Sequence, residues 1–264
     1  MNFSAKQSDL MQLGKYLMLG GTFPYCPLQI KIGNDSEPML TSYQTTENSS
    51  IFRFCRVGKS FFNSIQNEPA TVHVNIQKLM RTISGEGADD VIGISLVEDN
   101  KLKIECPRTT FYLNTVQTSP GFRDKMTFAL KGGIIQMKDR PEIKIRNKIS
   151  MGLKTFKKMV AYSSAVETEL FTFTLTKADG FNVRVGSLEK NAEYANYKPV
   201  VTIDQHNSDV NSSVSLGMKE LVSTLTSDVV IYLETGMPTV VTESSHHLKF
   251  GTMIAPYQRP EEDE

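Results

Sequence analysis

Apolar residues return at helical spacing in four short segments of this chain, Asp9–Met18, Ile76–Ser84, Met151–Ser163 and Leu216–Leu225. Elsewhere they gather in short runs of strand length. In the first segment Leu10, Leu13 and Leu17 fall at i, i+3 and i+7, with Ser8 placed to cap the helix. Extended segments are predicted at Leu28–Ile32, Met39–Gln44, Ile51–Cys55 and Val72–Val74, each β-branched or aromatic and divided by turns such as Gly33-Asn34-Asp35 and Glu47-Asn48-Ser49. The second helix puts Leu79 and Ile83 on one side and Lys78 and Arg81 on another. Val91–Val97, Lys101–Cys106 and Thr110–Thr115 follow as strands, the first pair joined by a turn at Glu98-Asp99-Asn100.

The same order then recurs. Glu142–Ile145 reads as a strand and Ser150 as the cap of a helix that turns Leu153, Phe156 and Val160 inward and Lys154, Lys157 and Lys158 outward. Leu170–Thr176 and Phe181–Val185 flank the turn Lys177-Ala178-Asp179-Gly180, and Pro199–Ile203 and Val210–Val214 are further strands. The last helix packs Met218, Leu221, Val222 and Leu225 ahead of Val229–Glu234, Thr239–Thr242 and Leu248–Ile254. Strand, helix, strands, helix, strands, twice over, is the pattern of an internal duplication. The expected class is α+β, with two similar domains over 1–116 and 142–257, a connecting loop over 117–141 and an acidic tail over 258–264. The connecting segment has no clear periodicity, yet carries the apolar Ile134, Ile135 and Met137, which suggests a docking surface.

Charge changes the picture because of where it lies. The whole chain balances 29 basic residues against 29 acidic ones. The four helical segments carry Lys15, Lys78, Arg81, Lys154, Lys157, Lys158 and Lys219 against Asp9 and Glu220. Lysines on one amphipathic helix are ordinary solvated charge; four helices biased the same way within a neutral chain make a surface suited to phosphate.

At this point the layout resembles the DNA sliding clamps of the proliferating cell nuclear antigen type. Asp228-Val-Val-Ile-Tyr-Leu-Glu-Thr-Gly-Met-Pro-Thr-Val-Val-Thr242 is similar to the family's penultimate hairpin, and Leu248-Lys-Phe-Gly-Thr-Met-Ile-Ala-Pro-Tyr257 to its last strand. Val74-Asn-Ile-Gln-Lys-Leu-Met-Arg-Thr-Ile83, with Asp89-Asp90-Val-Ile after it, resembles the second helix of the first domain. Leu188–Lys198 and Asp204–Asp209 are long for the family. The resemblance implies three subunits closed into a ring around duplex DNA, the basic helix residues facing the hole, with polymerase, clamp loader and other clamp-binding proteins as partners. It also places Pro238, Ala255 and Pro256 near the apolar residues of the connecting segment, as a client groove.

Subunits are expected to join by antiparallel pairing of Thr110–Thr115, through Thr110, Tyr112 and Asn114, with Phe181–Val185 of a neighbour, through Phe181, Val183 and Val185. A monomeric or heteromeric clamp relative is the alternative of the same class, and a metal-dependent hydrolase of unfamiliar motif the alternative of another. Catalysis has little support in the residues. His73, His206, His246 and His247 form no metal-binding helix motif, Lys131-Gly132-Gly133 lacks the glycine spacing of a phosphate loop, and no cofactor is implied. Cys26, Cys55 and Cys106 are too far apart for a ribbon or a disulfide framework, which predicts buried reduced thiols. No apolar run is long enough to span a membrane and the N-terminus lacks a signal-peptide pattern, so an intracellular, DNA-associated protein of nucleus or cytoplasm is expected.

Overall fold

The computed structural model describes residues 1–264 apart from 34, 47, 98–99, 117–127, 132–133, 138–141, 188–191, 216, 245–247 and 258–264. Two compact units emerge. The first comprises Met1–Asn48, Phe52–Asp124 and Ser244–Gly251, the second Ser49–Ile51, Lys125–Glu243 and Thr252–Glu264.

In the first unit β1 (Asn2–Lys6), α1 (Gln7–Met18), β2 (Tyr25–Ile32), β3 (Pro38–Thr45), β4 (Ile51–Val57), β5 (Ser64–Ile65), β6 (Ala70–Asn75), α2 (Ile76–Ile83), β7 (Val91–Val97), β8 (Lys101–Glu105) and β9 (Thr110–Asn114) follow in order. One sheet runs β5-β1-β7-β8-β9, and β4-β3-β2-β6 are consecutive neighbours in another. Each of these ladders is antiparallel, and tight turns join the successive pairs β2–β3 and β7–β8. The helices bury Leu10, Leu13 and Leu17 of α1 and Leu79, Met80 and Ile83 of α2 in one core with Ile92, Ile94, Leu102 and Ile104. α1 and α2 approach closely at Gly14, where any β-carbon would collide with the Met80 side chain. A glycine that costs about 1 kcal/mol against alanine in a helix interior therefore has a packing reason here.

The second unit opens with β10 (Phe128–Lys131), β11 (Ile134–Met137) and β12 (Ile143–Lys144), which form a small sheet of their own. Then β13 (Asn147–Met151), α3 (Leu153–Ala165), β14 (Phe171–Thr176), β15 (Gly180–Gly186), β16 (Tyr194–Tyr197), β17 (Thr202–Gln205), β18 (Val210–Val214), α4 (Met218–Thr224), β19 (Val229–Leu233), β20 (Thr239–Ser244) and β21 (Leu248–Ile254), whose residues up to Gly251 belong to the first unit, repeat the earlier succession. Neighbours run β17-β13-β19-β20 in one sheet and β16-β15-β14-β18 in another, matching β5-β1-β7-β8 and β4-β3-β2-β6 term by term. The duplication read from the order of elements is present in the strand topology.

Local details differ from the sequence expectations for identifiable reasons. Ser8 does not cap α1: the helix already starts at Gln7, and backbone carbonyls of Asp90 and Ala88 take the N–H groups of Gln7 and Ser8. Ser150 does not cap α3 either, because it lies in β13 with its hydroxyl against Asp204. The first free N–H of that helix, Leu153, donates to Asp228 Oδ1 at 2.9 Å. Asn75 caps α2, accepting from the Lys78 N–H at 2.8 Å. Part of the connecting segment is ordered as the β10–β11 hairpin rather than loop. β1 and β16 are strands that periodicity missed, since each carries a polar or small residue where an alternating pattern wants a large apolar one.

Candidate nucleic-acid interface

The helices present their basic residues to solvent. Lys15, Lys78, Arg81, Lys154, Lys157, Lys158 and Lys219 are all exposed, while the opposite faces of the same helices carry the core. Lys219 differs in its partner: it pairs with Glu169 at 3.2 Å, which offsets part of its field. Lys158 lies over the Tyr197 ring, 5.8 Å from its centroid. Among the described residues, Lys15, Lys78, Arg81, Lys154 and Lys157 form no ion pair.

Their positions along the helices carry further information. Helix dipoles favour anions at the N-terminus and cations at the C-terminus. Lys15 and Arg81 obey this in last turns. Lys78 sits third from the cap of α2 and Lys154 second from the cap of α3, in first turns that hold no acidic residue. Placing a cation beside a positive helix end weakens the helix by a few tenths of a kcal/mol to about 1 kcal/mol. At α2, capped by the neutral Asn75, such a residue is poorly explained by stability and well explained by an external anion, whereas at α3 the Asp228 carboxylate already meets the helix end.

The edges of the sheets differ in how they are protected. β17 carries Asp204 and a register shift opposite Lys148 and Ile149, two features that discourage pairing. β18 is occupied at Asn211, whose N–H donates to Thr235 Oγ1, and at Ser213, whose carbonyl accepts from the Tyr257 N–H at 2.7 Å. β6 is touched by Val116, whose N–H donates to His73 O. β9 (Thr-Phe-Tyr-Leu-Asn) and β16 (Tyr-Ala-Asn-Tyr) have no charge, no proline and no register shift, and each is paired on one side. Thr110, Tyr112 and Asn114 are exposed, Tyr112 to 59%.

This corrects the expected subunit edge in the second unit. β15, with Phe181, Val183 and Val185, is paired to β14 on one side and β16 on the other, and all three side chains are buried. It has no free ladder to offer. Among the described residues the free edge is β16, within Leu188–Lys198, the stretch long for the family; Tyr194 and Tyr197, both strong strand formers, are the signal available there.

The expected client residues divide. Ile135 is 0% exposed, so its side chain is already committed to packing and offers no surface, contrary to the expectation. The Ile134 and Met137 side chains lie outside the described residues. Pro238, Ala255 and Pro256 are half-buried. Ala255 N–H donates to Ser50 O and Tyr257 N–H to Ser213 O, while Thr235 of the β19–β20 turn meets Asn211, so β18 gathers that turn and the C-terminal segment at one strand. Met237 and Tyr257 are exposed beside them. No group of three or more His, Cys, Asp or Glu side chains is placed to hold a metal among the described residues, and His246, His247 and the acidic tail lie outside them. Among the described residues no helix is long and apolar enough to cross a membrane.

No family model matches the sequence, and no curated protein matches it either. Solved structures match over the whole chain. The structure of the C-terminal region of FEN-1 bound to A. fulgidus PCNA aligns with a TM-score of 0.76 at 15% identity, covering 98% of this chain and 99% of that one. PCNA of Entamoeba histolytica gives 0.74 at 15% identity over 97% and 98%. The PCNA2–PCNA3 complex from Sulfolobus tokodaii gives 0.72 at 11% identity over 97% and 99%. The chain therefore has the PCNA sliding-clamp fold.

Proposed function

We propose that this chain is a subunit of a ring-shaped clamp that encircles duplex DNA and tethers DNA polymerase and other replication or repair proteins to it. The observation that carries the reading is the exposed cation set on the helices, above all Lys78, held in a first turn whose cap is the neutral Asn75 and where helix stability disfavours it. A clamp must attract phosphate without reading bases and still slide, which suits a few solvated lysines more than bidentate base contacts. Tethering then raises a client's effective concentration at the template without a tight DNA contact. The clamp fold and the peptide-bound A. fulgidus relative support the tethering part.

Ring closure rests on the two unprotected edges. β9 of one copy pairing with β16 of the next is a heterologous contact, the kind that closes into a ring when its rotation divides a full turn. Clients would meet the exposed rim around Met237, Pro238, Pro256 and Tyr257, where an extended peptide can desolvate apolar side chains. Trimeric rings, a clamp loader and DNA association inside the cell belong to the same proposal.

Retention on circular DNA tests the reading. The wild type is expected to stay on nicked circles and slide off after linearisation, at a solution mass of about three times 29.6 kDa. Reversing Lys154 and Lys157 to Glu should keep that mass and lower retention, because each lost phosphate contact removes roughly 0.9 from the log–log salt slope. Equal retention on linear and circular DNA would overturn encirclement. A chain that stays monomeric alone and assembles with a different clamp chain would make the ring heteromeric, as in the PCNA2–PCNA3 complex.

A further inference from the structure

Charge is divided unequally among the four helices. α2 carries Lys78 and Arg81, α3 carries Lys154, Lys157 and Lys158, and neither holds an acidic residue. α1 sets Asp9 against Lys15, and α4 sets Glu220 against Lys219, which is further paired with Glu169. Helix stability does not call for this division, since acids spaced four residues from the lysines would support α2 and α3.

The two charged helices are those beside the free edges. Lys78 and Leu79 of α2 line a small cavity together with Leu113 and Asn114 of β9. On α3, Tyr162 meets Tyr197 of β16 at 5.2 Å between ring centroids, and Lys158 Nζ stands 5.8 Å from the centroid of the same Tyr197 ring. The strands supply no carboxylate to offset these cations: β9 reads Thr-Phe-Tyr-Leu-Asn and β16 Tyr-Ala-Asn-Tyr, and the residues flanking β16, Glu193 and Lys198, offset one another. In the ring proposed above, α2 of one copy and α3 of the next follow their strands to the same joint. Lys78 and Arg81 then face Lys154, Lys157 and Lys158 of another chain.

We propose that assembly of this protein is coupled to polyanion binding: a run of duplex phosphates bridges Lys78 and Arg81 of one copy to Lys154, Lys157 and Lys158 of the next. The inference rests on the clamp reading and adds to it a condition for ring closure. Like charges that converge on joining oppose it, over a range of about 10 Å at 0.1 M salt and about 30 Å at 0.01 M. Phosphate placed between them replaces that repulsion by attraction to both copies. A ligand that binds the assembled state better than the separate chains shifts the equilibrium toward assembly. Linkage is reciprocal, so the closed ring in turn holds the duplex more tightly than separate chains do. Free chains at low salt stay apart, and chains on DNA close.

Sedimentation over a concentration series, at about 0.02 M and about 0.3 M salt and with or without a short DNA duplex, measures the coupling, with thermal unfolding as the control for folding. The concentration for half-assembly of the wild type should fall at least about threefold in the higher salt, the reverse of DNA retention, which salt weakens. At low salt the duplex should lower it by at least about tenfold. The combined variant Lys154→Gln, Lys157→Gln, Lys158→Gln should assemble more readily than the wild type at low salt while holding DNA less well. A side chain needed only for structure would not improve the one and impair the other. Adding Lys78→Gln and Arg81→Gln should gain less than the two sets taken separately, because each set removes the same repulsion across the joint. Half-assembly unchanged within about twofold by salt, by duplex and in the triple variant, with folding intact, would overturn the coupling while leaving the clamp reading in place. A wild type that stays monomeric at both salts and with the duplex would overturn the homomeric ring and the coupling together.

Discussion

At the scale of single residues, burial decides which of the reactive side chains remain reactive. Cys26 and Cys55 lie in the core of the first unit, and burial pushes both thiols well above their ordinary range. Cys106 is half-buried, and burial, helped by the Glu86 carboxylate, pushes it up to about 11. For a thiol, a raised folded value means that the neutral form is favoured by the fold. The contribution is complete below the unfolded value near 9.0 and is lost as pH rises above it, when the unfolded chain ionises first. The thermal midpoint should therefore fall above about pH 9, and a Cys26→Ala, Cys55→Ala double variant should show a flatter fall. An identical slope in the two proteins would remove the cysteines as its cause. Asn147 illustrates the opposite case, a fully buried polar residue with every group occupied. Its Nδ2 donates to Ser208 Oγ and Leu233 O, and its Oδ1 accepts from the N–H groups of Asn207 and Ser208. One side chain thus holds in place the long loop before β18.

At the scale of elements, helix ends are set by partners distant in sequence. α3 has glycine at its cap and no acid in its first turn, and the carboxylate that serves it comes from Asp228. Asp228→Ala should cost about 1 kcal/mol, seen as a lower denaturant midpoint at unchanged slope. Ser150→Ala, the residue that local sequence marks as the cap, should cost less, since it removes an exposed hydroxyl contact. Equal losses would return the cap to Ser150. Proline at Val183 would strike a strand paired on both sides and is expected to unfold the unit.

At the scale of the molecule, the sheet edges separate folding from assembly. Tyr112 is more than half exposed and outside the core, so, if the chain closes the ring proposed above, Tyr112→Asp should leave unfolding unchanged while lowering the solution mass to that of a monomer. A charge facing a neighbour's edge acts against pairing. A trimer that survives Tyr112→Asp would place the joint away from β9.

The sequence by itself determined the four helices, their buried stripes and basic faces, most strands, and the doubled order of elements. These follow from local periodicity: Leu10, Leu13 and Leu17 or Leu79 and Ile83 mark a face whatever lies opposite. Only the tertiary structure decided that Ile135 is interior, that Asp228 rather than Ser150 caps α3, that Lys219 is paired, and that β16 rather than β15 is the open edge. Each of these depends on which distant residue fills a neighbouring place. Strands of similar composition can be central or marginal in a sheet, and long-range pairing, which alternation along one strand does not encode, makes the difference.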